Sequence, residues 1–177
     1  DTVATEPEEG LHDLADSVTD AADPLALAHR LSASVSDAIA YAPGQTEFHT
    51  TAAEALAQGQ GVCQDHAHAL IAVARLRDLP ARYVSGYLRS TTEGEPHEAA
   101  HAWAEIHVQG LGWVGFDPAN RCCPDERYVR LGSGLDASDA APIRGIAAGH
   151  GIETMDVAVS VEEVERFQTQ SQSQTQS

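Results

Sequence analysis

The sequence predicts an α+β fold, with helices first and an antiparallel sheet after them. Apolar residues recur at helical spacing between residues 24 and 79. From residue 80 to 161, short runs of aromatic and β-branched residues alternate with small or polar ones.

The elements follow in order. Residues 1–23 hold eight carboxylates and no arginine. They read as an acidic leader, partly disordered and outside the core. The core is expected over residues 24–161. Asp23-Pro24 is an N-cap followed by proline at the first helical position, and Leu27, Leu31, Val35 and Ile39 share one face of the helix it opens. Tyr41-Ala42-Pro43-Gly44 ends that helix. Thr51-Ala52-Ala53-Glu54 is a capping box for a second helix, closed at Gly59. A third helix runs from about Cys63 to Asp78, with Ala67, Leu70, Ile71 and Ala74 as its buried stripe. Strands follow at ARYVSGYL (81–88), HAWAEIHV (101–108) and GWVGF (112–116), the last two joined by a tight turn at GLG. PDERYVRLGSG and DASDAAPIRG read as irregular, and MDVAVSV (155–161) as a further strand. Residues 162–177 form a polar tail ending in QTQSQSQTQS, too poor in apolar residues to bury a core.

Composition excludes several classes. The 177 residues carry a formal charge of −17, with ten arginines and no lysine. Phosphates would be repelled, so nucleic acid and anionic membranes are not expected partners. No apolar run approaches the roughly 18 residues of a membrane span. DTVATEPEEG lacks the apolar stretch of a signal peptide, so a cytoplasmic location is expected. The three cysteines, Cys63, Cys122 and Cys123, are an odd count in a chain of this length. That pattern fits a reducing compartment and one reactive thiol better than a disulfide framework.

Chemistry concentrates in GQGVCQDHAH. Cys63 falls at a helix start, where free N–H groups and partial positive charge stabilise a thiolate and can bind a developing oxyanion. A thiol nucleophile needs an imidazole to take and return its proton, and the imidazole needs an acceptor to hold its tautomer. His101 opens one strand of the predicted hairpin and Asp117 follows the other, so the two are rough cross-strand partners.

Three segments, GVCQDHAHALIAVARLRDLPARYVSGYL, HAWAEIHV and GWVGFDPAN, resemble in order the core of the transglutaminase-like superfamily of papain-related cysteine enzymes. Its bacterial branch of transglutaminase-like enzymes and candidate cysteine proteases is the nearer match. The resemblance spans roughly residues 24–161. It implies a Cys63–His101–Asp117 triad, with the cysteine's helix packed on an antiparallel sheet that carries the other two. The implied activity is acyl transfer on amide bonds through a thioester, with peptide or amide hydrolysis expected over crosslinking. Transamidation of protein glutamine and a non-catalytic binding module are the alternatives. The implied partner is a peptide or protein substrate, with no cofactor and no metal. Relatives carry a β-rich domain ahead of this core, whereas only the acidic leader precedes it here, so the chain reads as the catalytic module alone or as a trimmed piece of a longer protein. The superfamily's oxyanion side chain has Gln45, Gln58 and Gln60 as candidates, beside the Cys63 N–H. Gln64, His66 and Trp103 are further cleft candidates.

A competing motif needs weighing. His97-Glu98-Ala99-Ala100-His101 matches the H-E-x-x-H zinc pattern. A zincin needs both histidines on one helix face, yet AEIHV turns to strand directly after, and a third ligand at suitable spacing is missing. The match is therefore read as coincidence, with His97 and Glu98 in the loop before the strand. Bland roles are expected elsewhere. His66 and His68 lie two apart and cannot share a helix face, and for His66 a surface role is expected over the cleft. Cys122-Cys123 belong to an ordinary loop, and Asp65 to the helix start. Trp103 and Trp113 pack the hairpin.

Overall fold

The computed structural model describes residues 2–89 and 100–142. A single 3-10 turn at Val3–Thr5 precedes helices α1 (Glu9–Ser17) and α2 (Pro24–Ala38). The short strand β1 (Ala40–Tyr41), helix α3 (Ala52–Gln58) and strand β2 (Gln60–Gly61) lead into α4 (Cys63–Leu76). Strands β3 (Ala81–Leu88), β4 (Ala100–Val108), β5 (Gly112–Phe116) and β6 (Tyr128–Gly134) complete the described chain.

The helix boundaries follow their local signals. Asp23 accepts the Leu25 N–H at 3.1 Å, with Pro24 at the first turn of α2. Thr51 and Glu54 cap each other's N–H groups at 3.2 and 2.8 Å, and Gly59 ends α3 at φ 65°. The central helix is α4, buried all round from Asp65 to Ala74. It lies on β3 and β4, with α1, α2 and α3 against its other sides. The core runs from Leu11 and Leu31 through Leu70 and Ile71 to Ile106 and Phe116, each 1% exposed or less.

Strands β5, β4, β3 and β6 form one antiparallel sheet in that order, while β1 and β2 make a separate parallel pair. The hairpin between β4 and β5 turns where expected, with Gly110 at φ 88° and Gly112 at φ 82°.

The structure corrects the sequence reading in two places. The acidic segment is not outside the core. Within α1, Leu11 and Ala15 are 0% and 1% exposed, and the segment is bound by arginines from the far end of α4. Arg77 donates to Ala15 O and Val18 O at 2.6 and 2.9 Å and pairs with Asp20, while Arg75 donates to Thr5 at 3.2 Å. The charge count concealed an amphipathic helix whose apolar face is narrow. The second correction is β6, which lies in the stretch read as irregular. Its two glycines weaken a strand signal, but the backbone of Ala140 crosses them closely. A Cβ on Gly132 would sit 2.9 Å from Ala140 O, and one on Gly134 would sit 2.6 Å from Ala140 N. The strand expected at 155–161 and the tail at 162–177 lie outside the described residues.

If α1 belongs to the core, Leu11→Ala should lower unfolding free energy by about 2–4 kcal/mol in urea denaturation, the cost of a large-to-small change in a closed site. A loose leader would show no change.

Candidate active site

Cys63 is the first residue of α4, after an extended N-cap at Val62. Both polar groups of Val62 are held. Its N–H donates to the Asp65 carboxylate at 2.7 Å, and the same carboxyl oxygen accepts the Thr46 hydroxyl at 2.6 Å. Its carbonyl oxygen lies 2.8 Å from His66 Nδ1, and His66 Nε2 lies 2.9 Å from Ile39 O. The turn that presents the thiol is thereby tied to the end of α2. Gly61 is required beneath it, since a Cβ there would lie 2.7 Å from the Asp65 carboxyl oxygen. The N–H of Cys63 is among those a helix cannot satisfy internally.

His101 lies on β4 and Asp117 just past β5. The ladder sets Ala104 opposite Phe116, so the next position sets Asp117 opposite Trp103, two residues along β4 from His101. The pair is thus diagonal rather than directly opposed, which a long side chain can bridge. His101 Nε2 lies 2.6 Å from Asp117 Oδ2. The other ring nitrogen, Nδ1, is left free of Asp117, and Cys63 is near enough to favour the charged imidazole.

Asp117 has no exposed surface. A buried carboxylate is costly unless its lone pairs are used. Oδ2 accepts from Asn120 Nδ2 and from the Tyr128 hydroxyl, each at 2.8 Å, and Oδ1 accepts the Asn120 N–H at 3.1 Å. Paired backbone hydrogen bonds between Asp117 and Cys122, at 2.8 and 3.2 Å, close the loop. It is pinned to α2 by the Ser36 hydroxyl on Pro118 O at 2.7 Å and by Arg121 on Ser36 O at 2.9 Å.

These contacts set the protonation. Burial alone would lower His101, but its hydrogen bond to Asp117 and the neighbouring Cys63 and Asp117 side chains outweigh it and raise the imidazole to about 9. Burial would raise Asp117, but its bonds to His101, Asn120 and Tyr128 hold it below the ordinary carboxylate range. Tyr128 is raised by burial, by its bond to Cys122 and by Asp117, so it remains a donor. The arrangement sets a histidine against a buried carboxylate with Cys63 nearby, suited to moving one proton to and from Cys63.

The remaining expected site residues divide. Trp103 is buried and lies nearly parallel to the His101 ring, 6.3 Å away at 27°. Gln64 donates to Phe48 O at 2.9 Å, and Gln45, Gln58 and Gln60 are exposed. None of these glutamines hydrogen-bonds a member of the His101–Asp117 pair, and the Cys63 N–H stays as the oxyanion candidate. His66 is not the surface residue expected, being 1% exposed, and His68 is equally buried. His66 is enclosed between α2 and α4. His68 lies against Tyr83 and accepts the Ala137 N–H at 3.1 Å, and burial pulls it down to about 4 against Asp136 and Asp65. Asp65 caps the start of α4, as expected. Cys122 is more than a loop residue, with Sγ 3.2 Å from the Tyr128 hydroxyl. Trp113 is 42% exposed under the Arg82 guanidinium, which lies 4.0 Å from its ring centroid. His101 sits on a strand with Nε2 on Asp117, which is not the helical pairing that H-E-x-x-H needs. His97 and Glu98 lie outside the described residues. The sequence reading missed Asn120 and Tyr128. Asn120 had a signal in the short DPAN turn, whereas Tyr128 had none, because β6 was not anticipated.

A model of the transglutaminase-like superfamily matches residues 12–118, which include Cys63, His101 and Asp117. The chain belongs to that superfamily. The match begins inside α1, in accord with the packing of that helix. An uncharacterized protein of Mycobacterium leprae is 40% identical over 129 residues, covering 68% of this chain and 44% of that protein. Among solved structures, a candidate cysteine protease from Cytophaga hutchinsonii superposes with a TM-score of 0.65 at 27% identity, over 79% of this chain and 46% of that one. The periplasmic domain of TgpA from Pseudomonas aeruginosa shares the fold at a TM-score of 0.51 and 24% identity, over 68% and 45%. The chain spans less than half the length of each of these three proteins. Within this transglutaminase-like fold, no helix of the described residues is long and apolar enough to cross a membrane.

The raised His101 makes stability pH-dependent with a definite sign. The charge interaction is fully present below the ordinary histidine value of about 6.5 and is lost as pH rises through about 9. Unfolding free energy should therefore decline across that window. Asp117→Asn should flatten the decline, and NMR should place the wild-type His101 titration near the upper end.

Proposed function

We propose that this protein catalyses thiol-dependent acyl transfer on amide bonds, with Cys63 as nucleophile, His101 as acid and base, and Asp117 as the group that orients the imidazole. The observation that carries the reading is the His101–Asp117 contact of 2.6 Å, with Cys63 near enough to act on the same imidazole. In the first half, the Cys63 sulfur attacks the carbonyl carbon. The oxyanion faces the N–H groups at the start of α4. Collapse breaks the C–N bond, and the leaving amine takes the imidazolium proton. In the second half, His101 takes a proton from water as the oxygen attacks the thioester. The tetrahedral adduct expels the thiolate, and the imidazolium is restored.

Hydrolysis of a peptide or protein amide is preferred to crosslinking. The support is the likeness to the Cytophaga hutchinsonii protein, named as a candidate cysteine protease. The charge of −17 speaks against nucleic acid or an anionic membrane as partner. Three free thiols suit a reducing, cytoplasmic setting.

Turnover of mixed peptide amides, with and without an added primary amine, tests this reading. Cys63→Ala should reduce turnover on the order of 10³-fold or more, as for loss of any nucleophile in such a set. Full turnover without Cys63 would overturn the proposal. Amine incorporation in place of free acid would turn it toward transamidation.

A further inference from the structure

Tyr128 stands at a junction. It is the first residue of β6 and pairs with Leu88 of β3. Its ring meets the edges of His101 and Trp103, with centroids 5.7 and 5.5 Å apart. Its hydroxyl oxygen lies 2.8 Å from Asp117 Oδ2 and 3.2 Å from Cys122 Sγ. A phenol has one proton to give. An ionised carboxylate can only accept, so that proton goes to Asp117. The second contact must then run the other way, with the Cys122 S–H donating to the phenol oxygen. Cys122 is placed for this by its two backbone hydrogen bonds to Asp117. The hydrogen bonds form one directed series, from the Cys122 thiol to the Tyr128 hydroxyl to the Asp117 carboxylate.

We propose that Tyr128 is a positioning residue of the triad: its hydroxyl holds the carboxylate that orients His101, and the Cys122 thiol fixes the direction of that hydroxyl. This rests on the reading of Cys63, His101 and Asp117 as the reacting set. The physical need is clear from burial. Asp117 is fully enclosed, and Oδ2 serves His101 and the hydroxyl together. Without the hydroxyl, that oxygen loses one of the donors that keep it anionic and in place. The imidazolium beside Cys63 is then less well held.

The test reads the rate at which iodoacetamide alkylates Cys63 at pH 6 in the full chain, resolved by peptide mass spectrometry in a Cys123→Ser background. It needs no knowledge of the substrate. Tyr128→Phe keeps the ring and should slow Cys63 alkylation about tenfold, the scale of one hydrogen bond to a charged group. Cys122→Ala should slow it about threefold, as for a neutral hydrogen bond, and Cys122→Ser, which restores a donor, should not. In the Tyr128→Phe background, Cys122→Ala should have no further effect, because the thiol acts only through the hydroxyl. A merely structural role would give additive losses and no rescue by serine. An unchanged or faster rate in Tyr128→Phe overturns the inference, as does an additive double variant. His101→Ala separates the two levels. If it leaves the Cys63 rate unchanged, the triad reading itself fails. If it slows the rate and Tyr128→Phe does not, only the role of Tyr128 falls.

Discussion

A carboxylate with no exposed surface must have its lone pairs occupied, and much of this fold is arranged around that need at Asp117. Its four donors come from three different stretches of chain. His101 arrives on β4, Asn120 from the tight loop after β5, and Tyr128 on β6. Leaving such a group unpaired would cost several kcal/mol by desolvation, so these stretches can only settle together. The same constraint explains why the 117–122 loop is bound to α2 through Ser36 and Arg121. The result is an imidazole fixed in tautomer and direction before any substrate arrives.

Cys63 is positioned from the other side of the molecule. α4 is enclosed by three helices and the sheet, so its start has little freedom. Asp65 and His66 then hold the N–H and C=O of Val62, which fixes the residue immediately before Cys63. The α4 start and the β4–β5 end bring Cys63 near His101. Preorganisation of this kind lets a single proton carry both halves of an acyl transfer.

Much of this was legible in the sequence where a residue's role depends on its near neighbours. Asp23-Pro24, the Thr51–Glu54 box and Gly59 set helix ends through contacts within four residues. The β3, β4 and β5 runs showed their alternation plainly. The His101–Asp117 contact was legible because a hairpin brings the two together, although its register placed them diagonally. Roles set by distant chain were not legible. Leu11 is core because its helix packs on α4 and α3, and Arg75 and Arg77, some sixty residues later, bind the same segment. His66 looked like a surface residue until α2 covered it. Tyr128 lay in a run weakened by Gly132 and Gly134, glycines that the crossing at Ala140 requires.

The central claim is that Cys63 becomes acylated with His101 as its proton partner. Incubation with an activated acyl donor such as p-nitrophenyl acetate, followed by acid quench and peptide mass spectrometry, reads this directly. The account predicts an acetyl group on Cys63 in the wild type and its near-absence in His101→Ala. Acetylation of Cys122 or Cys123 instead, or equal labelling of Cys63 in the two proteins, would contradict it.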